Sequence, residues 1–131
     1  MKILVIDDEE DTRSIASMCL EMLGGATVFQ AASGKEGLEK ASDELPDVII
    51  LDLVMPEMDG MQTLTNLRKN ARTENIPVIF LTTKGRFEEF ESLKGLGALE
   101  VITKPFDPTT LTDQISEILE RVPMPKSQPK D

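Results

Sequence analysis

Short aliphatic runs alternate along this chain with stretches in which apolar residues recur at helical spacing. The aliphatic runs predict β-strands at residues 2–6, 26–30, 47–51, 76–81 and 99–103. The amphipathic stretches predict helices at residues 10–23, 34–43, 60–70, 86–95 and 108–121. Five alternations of this kind are typical of an α/β domain, in which helices cover both faces of a parallel sheet.

The polarity of each run predicts its place in the sheet. Runs 3–6, 48–51 and 78–81 are apolar throughout, as expected for central strands that are buried on both sides. Run 26–30 mixes polar and apolar residues, so we expect an edge strand there.

Turn and capping residues predict where the helices begin and end. Gly24-Gly25 ends the first helix and Ser33 caps the second. Asp59-Gly60 forms a turn before the third helix, and Asp107-Pro108 supplies the last helix with an N-cap and a first-turn proline.

The chain length of 131 residues fits one domain, which we assign to residues 1–122. Residues 123–131 contain three prolines and show no hydrophobic periodicity, so we expect a flexible Pro-rich tail. This tail fits either a natural terminus or the start of a linker in a longer regulator.

Composition narrows the possible functions. A net charge of −10 argues against a nucleic-acid surface, because phosphate backbones require clustered Lys and Arg. No apolar stretch approaches the roughly 18 residues of a membrane span, and Met1-Lys2 leads directly into a predicted strand, so we expect neither a membrane span nor a signal segment. One cysteine fits a reducing cytoplasm, and the lack of histidine makes a zinc site improbable.

Polar side chains stand where the predicted strands end. Asp7-Asp8 follows the first strand, Asp52 the third, Thr82 the fourth and Lys104 the fifth. The carboxyl ends of parallel strands face one crevice, so these groups are expected to meet. Such a set suits a hard divalent cation, Mg²⁺ in particular, together with a phosphoryl group.

The remaining acids near the first strand have a simpler interpretation. Glu9, Glu10 and Asp11 stand at the start of the first predicted helix, where negative charge complements the positive end of the helix dipole. Asp7 and Asp8 are interpreted differently, because Asp52 and Lys104 occupy matching strand ends.

In this ordered set of motifs the chain resembles the receiver domain of bacterial two-component response regulators. The matching segments are residues 5–9 (VIDDE), 47–52 (DVIILD), 55–60 (MPEMDG), 77–82 (PVIFLT), 97–98 (GA) and 104–106 (KPF). The resemblance implies a flavodoxin-like (βα)5 fold with strand order 2-1-3-4-5. It covers all of the chain except the predicted tail.

The resemblance also implies a role for each residue. Asp52 would accept a phosphoryl group from a phosphohistidine, with Lys104 and Thr82 contacting the phosphoryl oxygens. Mg²⁺ would be held by Asp7, Asp8, Asp52 and the backbone carbonyl of Val54. The partners implied are a sensor histidine kinase or a histidine phosphotransfer protein, and an output protein that this chain would bind.

Two positions depart from the family pattern. The family commonly has Tyr or Phe three residues before the lysine, where this chain has Val101. We therefore expect activation to centre on Thr82 and the loop after it. The residue after the hydroxyl is commonly small, whereas here it is Thr83.

The first predicted helix has more apolar residues than one face needs. Ala16, Cys19, Leu20 and Leu23 share the face expected to pack on the sheet. A second stripe of Ile15, Met18 and Met22 is either a widening of that buried face or an exposed patch beside Asp52. Family members dock a kinase or phosphotransfer domain at this position.

Other functions remain as alternatives to a phosphoacceptor that lacks a DNA-binding output domain. The chain could be a receiver-like interaction module that acts without phosphorylation, or a receiver from a longer regulator. An enzyme is the third class. A flavoprotein would need a Ser/Thr/Gly-rich loop after the first strand, where this chain has Asp-Asp-Glu-Glu-Asp. An aspartyl phosphatase would place its nucleophile there and add a cap. We therefore expect a signalling phosphoacceptor, not an enzyme.

Overall fold

The computed structural model describes residues 1–83, 91–92, 94–95 and 97–121. Its strands are β1 (Lys2–Ile6), β2 (Thr27–Ala31), β3 (Val48–Leu51), β4 (Val78–Thr82) and β5 (Glu100–Thr103). Its helices are α1 (Glu10–Met22), α2 (Gly34–Glu44), α3 (Gly60–Lys69) and α4 (Leu111–Glu120). The predicted helix at 86–95 and the predicted tail at 123–131 lie largely or wholly outside the described residues.

All five strands are parallel and form one sheet in the order β2-β1-β3-β4-β5. This confirms the predicted fold class, and it confirms β2 as an edge strand. Ile6 pairs with Leu51, and Thr82 pairs with Thr103. The last residues of neighbouring strands are therefore paired, and these strands end close together at the carboxyl edge of the sheet.

The sheet is buried on both faces, which explains why its central strands are apolar throughout. Leu4, Ile6 and Leu51 belong to one core cluster, while Ile3 and Val5 belong to another. Helix α3 contributes its leucines to the first cluster, and helices α1 and α4 contribute to the second. Burying each such aliphatic side chain contributes about 1.5–3 kcal/mol to folding.

The predicted caps of α2 and α3 are present. Ser33 Oγ accepts a hydrogen bond from the Glu36 N–H at 3.1 Å. Asp59 and Gln62 form a reciprocal capping box at the start of α3. These caps fix where each helix leaves the loop that precedes it.

Three local predictions are wrong. Helix α4 begins at Leu111, because Asp107 instead forms a turn in which its side chain accepts from the Thr109 N–H. Leu23, predicted to pack on the sheet, is the C-cap of α1 and is 61% exposed. Cys19, which was expected in the core, is only partly buried.

The helices that the structure describes include none that is both long and apolar enough to cross a membrane.

Candidate functional site

Three carboxylates meet where β1 and β3 end. Asp7 and Asp8 follow β1, and Asp52 follows β3, whose last residue pairs with Ile6 of β1. One oxygen from each carboxylate lies within 4.8 Å of the others. Asp7 and Asp52 are buried, at 2% and 6% exposure, while Asp8 is exposed. The structure thus brings together the three acids singled out in the sequence.

The ammonium group of Lys104 lies against these acids. Its Nζ is 2.9 Å from Asp7 Oδ2 and 3.5 Å from Asp52 Oδ1. The loop that carries it is held by a hydrogen bond from the Lys104 N–H to the Thr82 carbonyl at 2.8 Å. The Lys104–Pro105 peptide bond is cis. Lys104 therefore links the end of β5 to the ends of β1 and β3.

Burial and charge alter the acidity of both Asp52 and Lys104. Desolvation, followed by the nearby charge of Asp7, raises the pKa of Asp52 from 3.8 to about 6, although Lys104 and the Val54 N–H oppose this. Burial lowers the pKa of Lys104, but the hydrogen bond to Asp7 and the charges of Asp52 and Asp7 outweigh it, so the net shift is upward. Within the described part of the chain, the negative charges of Asp7 and Asp52 thus outnumber the positive charge of Lys104 beside them.

Asp7 is fixed by several donors. Its Oδ1 accepts from the Glu9 N–H at 2.9 Å, while Oδ2 is held by Lys104. Its carbonyl accepts from Arg13 Nη1 at 2.7 Å, and Arg13 Nε donates to Gln30 Oε1 at 3.1 Å. Sequence reasoning missed Arg13 and Gln30, because nothing local in the sequence indicates a contact between α1 and the edge strand.

Glu9 makes a contact that the sequence analysis did not predict. It was interpreted only as a partner of the helix dipole, and its backbone does form the N-cap position of α1. Its Oε1, however, is 3.5 Å from Lys104 Nζ. Local sequence carries no signal for this contact, because Lys104 follows the last strand.

The remaining predicted positions also lie at or near the strand ends. Thr82 is the last residue of β4 and is fully buried, whereas Thr83 is exposed. Val54 is exposed, and its N–H donates to the Asp52 carboxylate. Val101 is buried in the core and pairs with Phe80.

Gly60 permits the close approach of α3 to the site. A Cβ atom at this position would lie 2.4 Å from the Asp52 carbonyl oxygen. The Gly60 N–H also donates to the Leu53 carbonyl at 2.8 Å. The loop between β3 and α3 therefore folds back tightly beneath Asp52.

The second apolar stripe of α1 is exposed, which settles the question left open by the sequence. Ile15 is 47% exposed, Met18 57% and Met22 76%. The face packed on the sheet contains Ala16, Ser17 and Leu20. Helix α1 starts two residues after Asp8.

This sheet order, with acids after β1 and β3 and a lysine after β5, defines a receiver-type α/β domain. Residues 3–116 match the family described as the response regulator receiver domain, and the chain belongs to that family.

The chain is similar to several transcriptional regulators. It is 38% identical to the alkaline phosphatase synthesis transcriptional regulatory protein PhoP of Bacillus subtilis (strain 168), over 99% of this chain and 54% of the relative. It is 37% identical to the DNA-binding dual master transcriptional regulator RpaA of Synechocystis sp. (strain ATCC 27184 / PCC 6803 / Kazusa), over 92% of this chain and 49% of the relative. The chain thus spans about half the length of these regulators.

Solved structures give the same assignment. The Vibrio cholerae chemotaxis response regulator CheY4 superposes with a TM-score of 0.83 at 34% identity, covering 89% of this chain and 97% of that chain. The beryllofluoride-activated DrrB receiver domain gives a TM-score of 0.78 at 29% identity, covering 92% of this chain and 97% of that chain.

Proposed function

We propose that this chain is the phosphoacceptor of a two-component or phosphorelay system. Asp52 receives a phosphoryl group from a phosphohistidine of a sensor histidine kinase or a histidine phosphotransfer protein. The modified chain then presents an altered surface to a protein output target. The observation that carries this proposal is the buried Asp52 carboxylate, which lies 3.5 Å from the Lys104 ammonium and beside Asp7 and Asp8.

The side chains have the properties that phosphoryl transfer requires. Asp52, with a pKa of about 6, is largely ionised at neutral pH and can act as a nucleophile. Lys104 supplies a buried positive charge for the phosphoryl oxygens, and the Thr82 hydroxyl stands at the end of the neighbouring strand. The product is an acyl phosphate on Asp52, and its hydrolysis would end the signal.

The donor set fits Mg²⁺. Hard carboxylate oxygens from Asp7, Asp8 and Asp52 lie within 4.8 Å of one another, and among the described residues these three acids outnumber the single ammonium group beside them, that of Lys104. These residues and the Val54 carbonyl would hold the ion. When bound, Mg²⁺ supplies positive charge that offsets both the repulsion among the acids and the charge of the phosphoryl group.

The proposal includes the wider assignments made from the sequence. Residues 1–122 are assigned to the receiver unit, and the tail predicted at residues 123–131 lies outside the described residues. The chain acts in the cytoplasm through protein partners, without contacting nucleic acid or entering a membrane. The complete set of acids and lysine favours this function over a receiver-like module that acts without phosphorylation.

Intact-mass measurement after treatment with acetyl phosphate and Mg²⁺ tests the assignment. The wild type is expected to gain one phosphoryl group, and Asp52→Asn none. Asp43→Asn is the matched control, since Asp43 is an exposed aspartate on α2, and it should behave as the wild type does. Undiminished labelling of Asp52→Asn would show that Asp52 is not the acceptor.

A further inference from the structure

We propose that Glu9 is a specificity-determining residue at this site, whose carboxylate competes with an incoming phosphoryl group for Lys104 and so disfavours small anionic phosphodonors. This inference rests on the proposed function and extends it to the choice of donor.

The geometry places Glu9 over a buried cation. Glu9 Oε1 and Asp52 Oδ1 lie at the same distance, 3.5 Å, from Lys104 Nζ. The Lys104 side chain is 9% exposed, whereas that of Glu9 is 64% exposed. Of the carboxylates beside this ammonium, that of Glu9 is therefore the one most open to solvent.

Two further contacts hold Glu9 in this position. Its Oε1 accepts a hydrogen bond from Thr12 Oγ1 at 3.3 Å. Its backbone N–H donates to Asp7 Oδ1 at 2.9 Å, which anchors the residue to the acid cluster. The carboxylate is thus held near Lys104 by the first turn of α1 as well as by charge.

Phosphorylation requires that Glu9 give up this contact. When Asp52 attacks acetyl phosphate, an Oδ–P bond forms, the P–O bond of the donor breaks, and acetate leaves with the bonding electron pair. The transferred group keeps its negative charge and needs the Lys104 ammonium. Glu9 both occupies that ammonium and repels the approaching dianion.

The cost of displacing Glu9 from Lys104 affects a small phosphodonor and a protein phosphodonor differently. Acetyl phosphate has few contacts with which to offset the displacement of Glu9. A phosphohistidine protein brings an interface whose binding free energy can offset it. The charge of Glu9 therefore favours transfer from a protein.

The rate of labelling by acetyl phosphate with Mg²⁺ tests this role. Glu9→Gln is expected to react about fivefold faster than the wild type, which corresponds to about 1 kcal/mol. The matched control is Glu10→Gln, which removes the same charge one residue further along. Glu10 is exposed and has no salt bridge within the described part of the chain, so its effect should stay below about twofold. Thr12→Val should change the rate in the same direction as Glu9→Gln, but less.

A binding measurement separates competition for Lys104 from effects on turnover. Beryllofluoride with Mg²⁺ mimics the bound phosphoryl group without any reaction. Titration should show tighter binding to Glu9→Gln, by a factor close to the gain in rate, and unchanged binding to Glu10→Gln.

The outcomes separate this inference from the proposed function. Equal effects of Glu9→Gln and Glu10→Gln, or no gain for Glu9→Gln, would overturn the role of Glu9 while leaving Asp52 as the acceptor. If acetyl phosphate does not label the wild type, or labels the Asp52→Asn variant as strongly as the wild type, the proposed function is overturned and this inference with it.

Discussion

The carboxyl group of Asp52 binds its proton more tightly than an ordinary aspartate because it is desolvated and lies beside Asp7. Lys104 offsets only part of this, since the same ammonium also serves Asp7 and Glu9. Charged residues held close together for function commonly lower the stability of the fold. Replacing Asp52 should therefore remove the proposed phosphoacceptor and increase the free energy of unfolding.

This gives a prediction for the pH dependence of stability without Mg²⁺. The folded-state pKa of Asp52 is about 6, above its ordinary value of 3.8. Its tighter proton binding stabilises the fold fully below about pH 4, and this contribution is lost as the pH rises through about 6. We expect Asp52→Asn to be more stable than the wild type by about 3 kcal/mol near pH 8 and about equal to it near pH 4.

Urea unfolding of both proteins in EDTA across this pH range measures the difference. Asp43→Asn, which alters an exposed aspartate, should show no such trend. A stability difference that does not change with pH would contradict the prediction.

The two neighbouring acids should contribute unequally to Mg²⁺ binding. The Asp7 carboxylate already accepts hydrogen bonds from Lys104 and from the Glu9 N–H. The Asp8 carboxylate is exposed and accepts neither of these two hydrogen bonds. Mg²⁺ is expected to bind with a free energy of about 4–5 kcal/mol. Calorimetric titration should show a larger loss of affinity in Asp8→Ala than in Asp7→Ala. Asp11→Ala serves as the control, and equal affinity in the wild type and Asp8→Ala would remove Asp8 from the site.

Helix α1 presents two apolar faces with different surroundings. Leu20 is 1% exposed and packs on the sheet, whereas Ile15 and Met18 are about half exposed. Methionine adapts its shape readily to a partner surface. Since α1 begins two residues after Asp8, we propose that its outer stripe contacts the protein that delivers the phosphoryl group.

Substitutions along this helix should separate docking from packing. Ile15→Ala and Met18→Ala are expected to slow phosphoryl transfer from a cognate histidine kinase, since a central interface residue can contribute about 2 kcal/mol to binding. Labelling by acetyl phosphate and the melting temperature should change little.

The buried Leu20 provides the comparison, because Leu20→Ala should lower the free energy of unfolding by about 2–5 kcal/mol. A large loss of melting temperature in Ile15→Ala or Met18→Ala, with normal transfer from the kinase, would show that the stripe serves packing.

The sequence predicted those parts of the site in which chemistry directly follows a strand. The carboxyl ends of neighbouring parallel strands lie close together, so Asp7, Asp52 and Lys104 could be assigned to one site from the sequence alone. Contacts in which a side chain reaches from one element to another could not be predicted in this way, and the contact of Glu9 with Lys104 is an example. Leu23 is a further error, since it shares the predicted face of α1 but lies at the C-cap of the helix and is exposed.

Across the whole molecule, Thr82 connects the acids to the far edge of the sheet. Its carbonyl accepts from the Lys104 N–H, and it pairs with Thr103 of β5. Val101 is an aliphatic core residue in the same strand and has no ring to reorient. A change at Asp52 therefore has a route through Thr82 and its neighbours.

Beryllofluoride with Mg²⁺ should reveal that route in amide chemical shifts. Among the described residues we expect the largest shifts beyond the acids at Thr82 and Thr83. We expect smaller ones in β5 (Glu100–Thr103) and α4 (Leu111–Glu120). The predicted involvement of residues 84–90 lies outside the described part of the chain. Larger shifts in β5 and α4, with Thr82 and Thr83 unchanged, would contradict this mode of coupling.

The contact between Lys104 and Asp7 joins residues 97 positions apart in the chain. Contacts of such separation form late in folding, because a long loop must close before they contribute. During synthesis, Asp7 and Asp52 leave the ribosome before the cation that offsets them. A chain that has not yet folded through its last strand thus carries the acids without the lysine. On the proposed function, the chain can consequently accept a phosphoryl group only once the domain has been made and folded from β1 to β5.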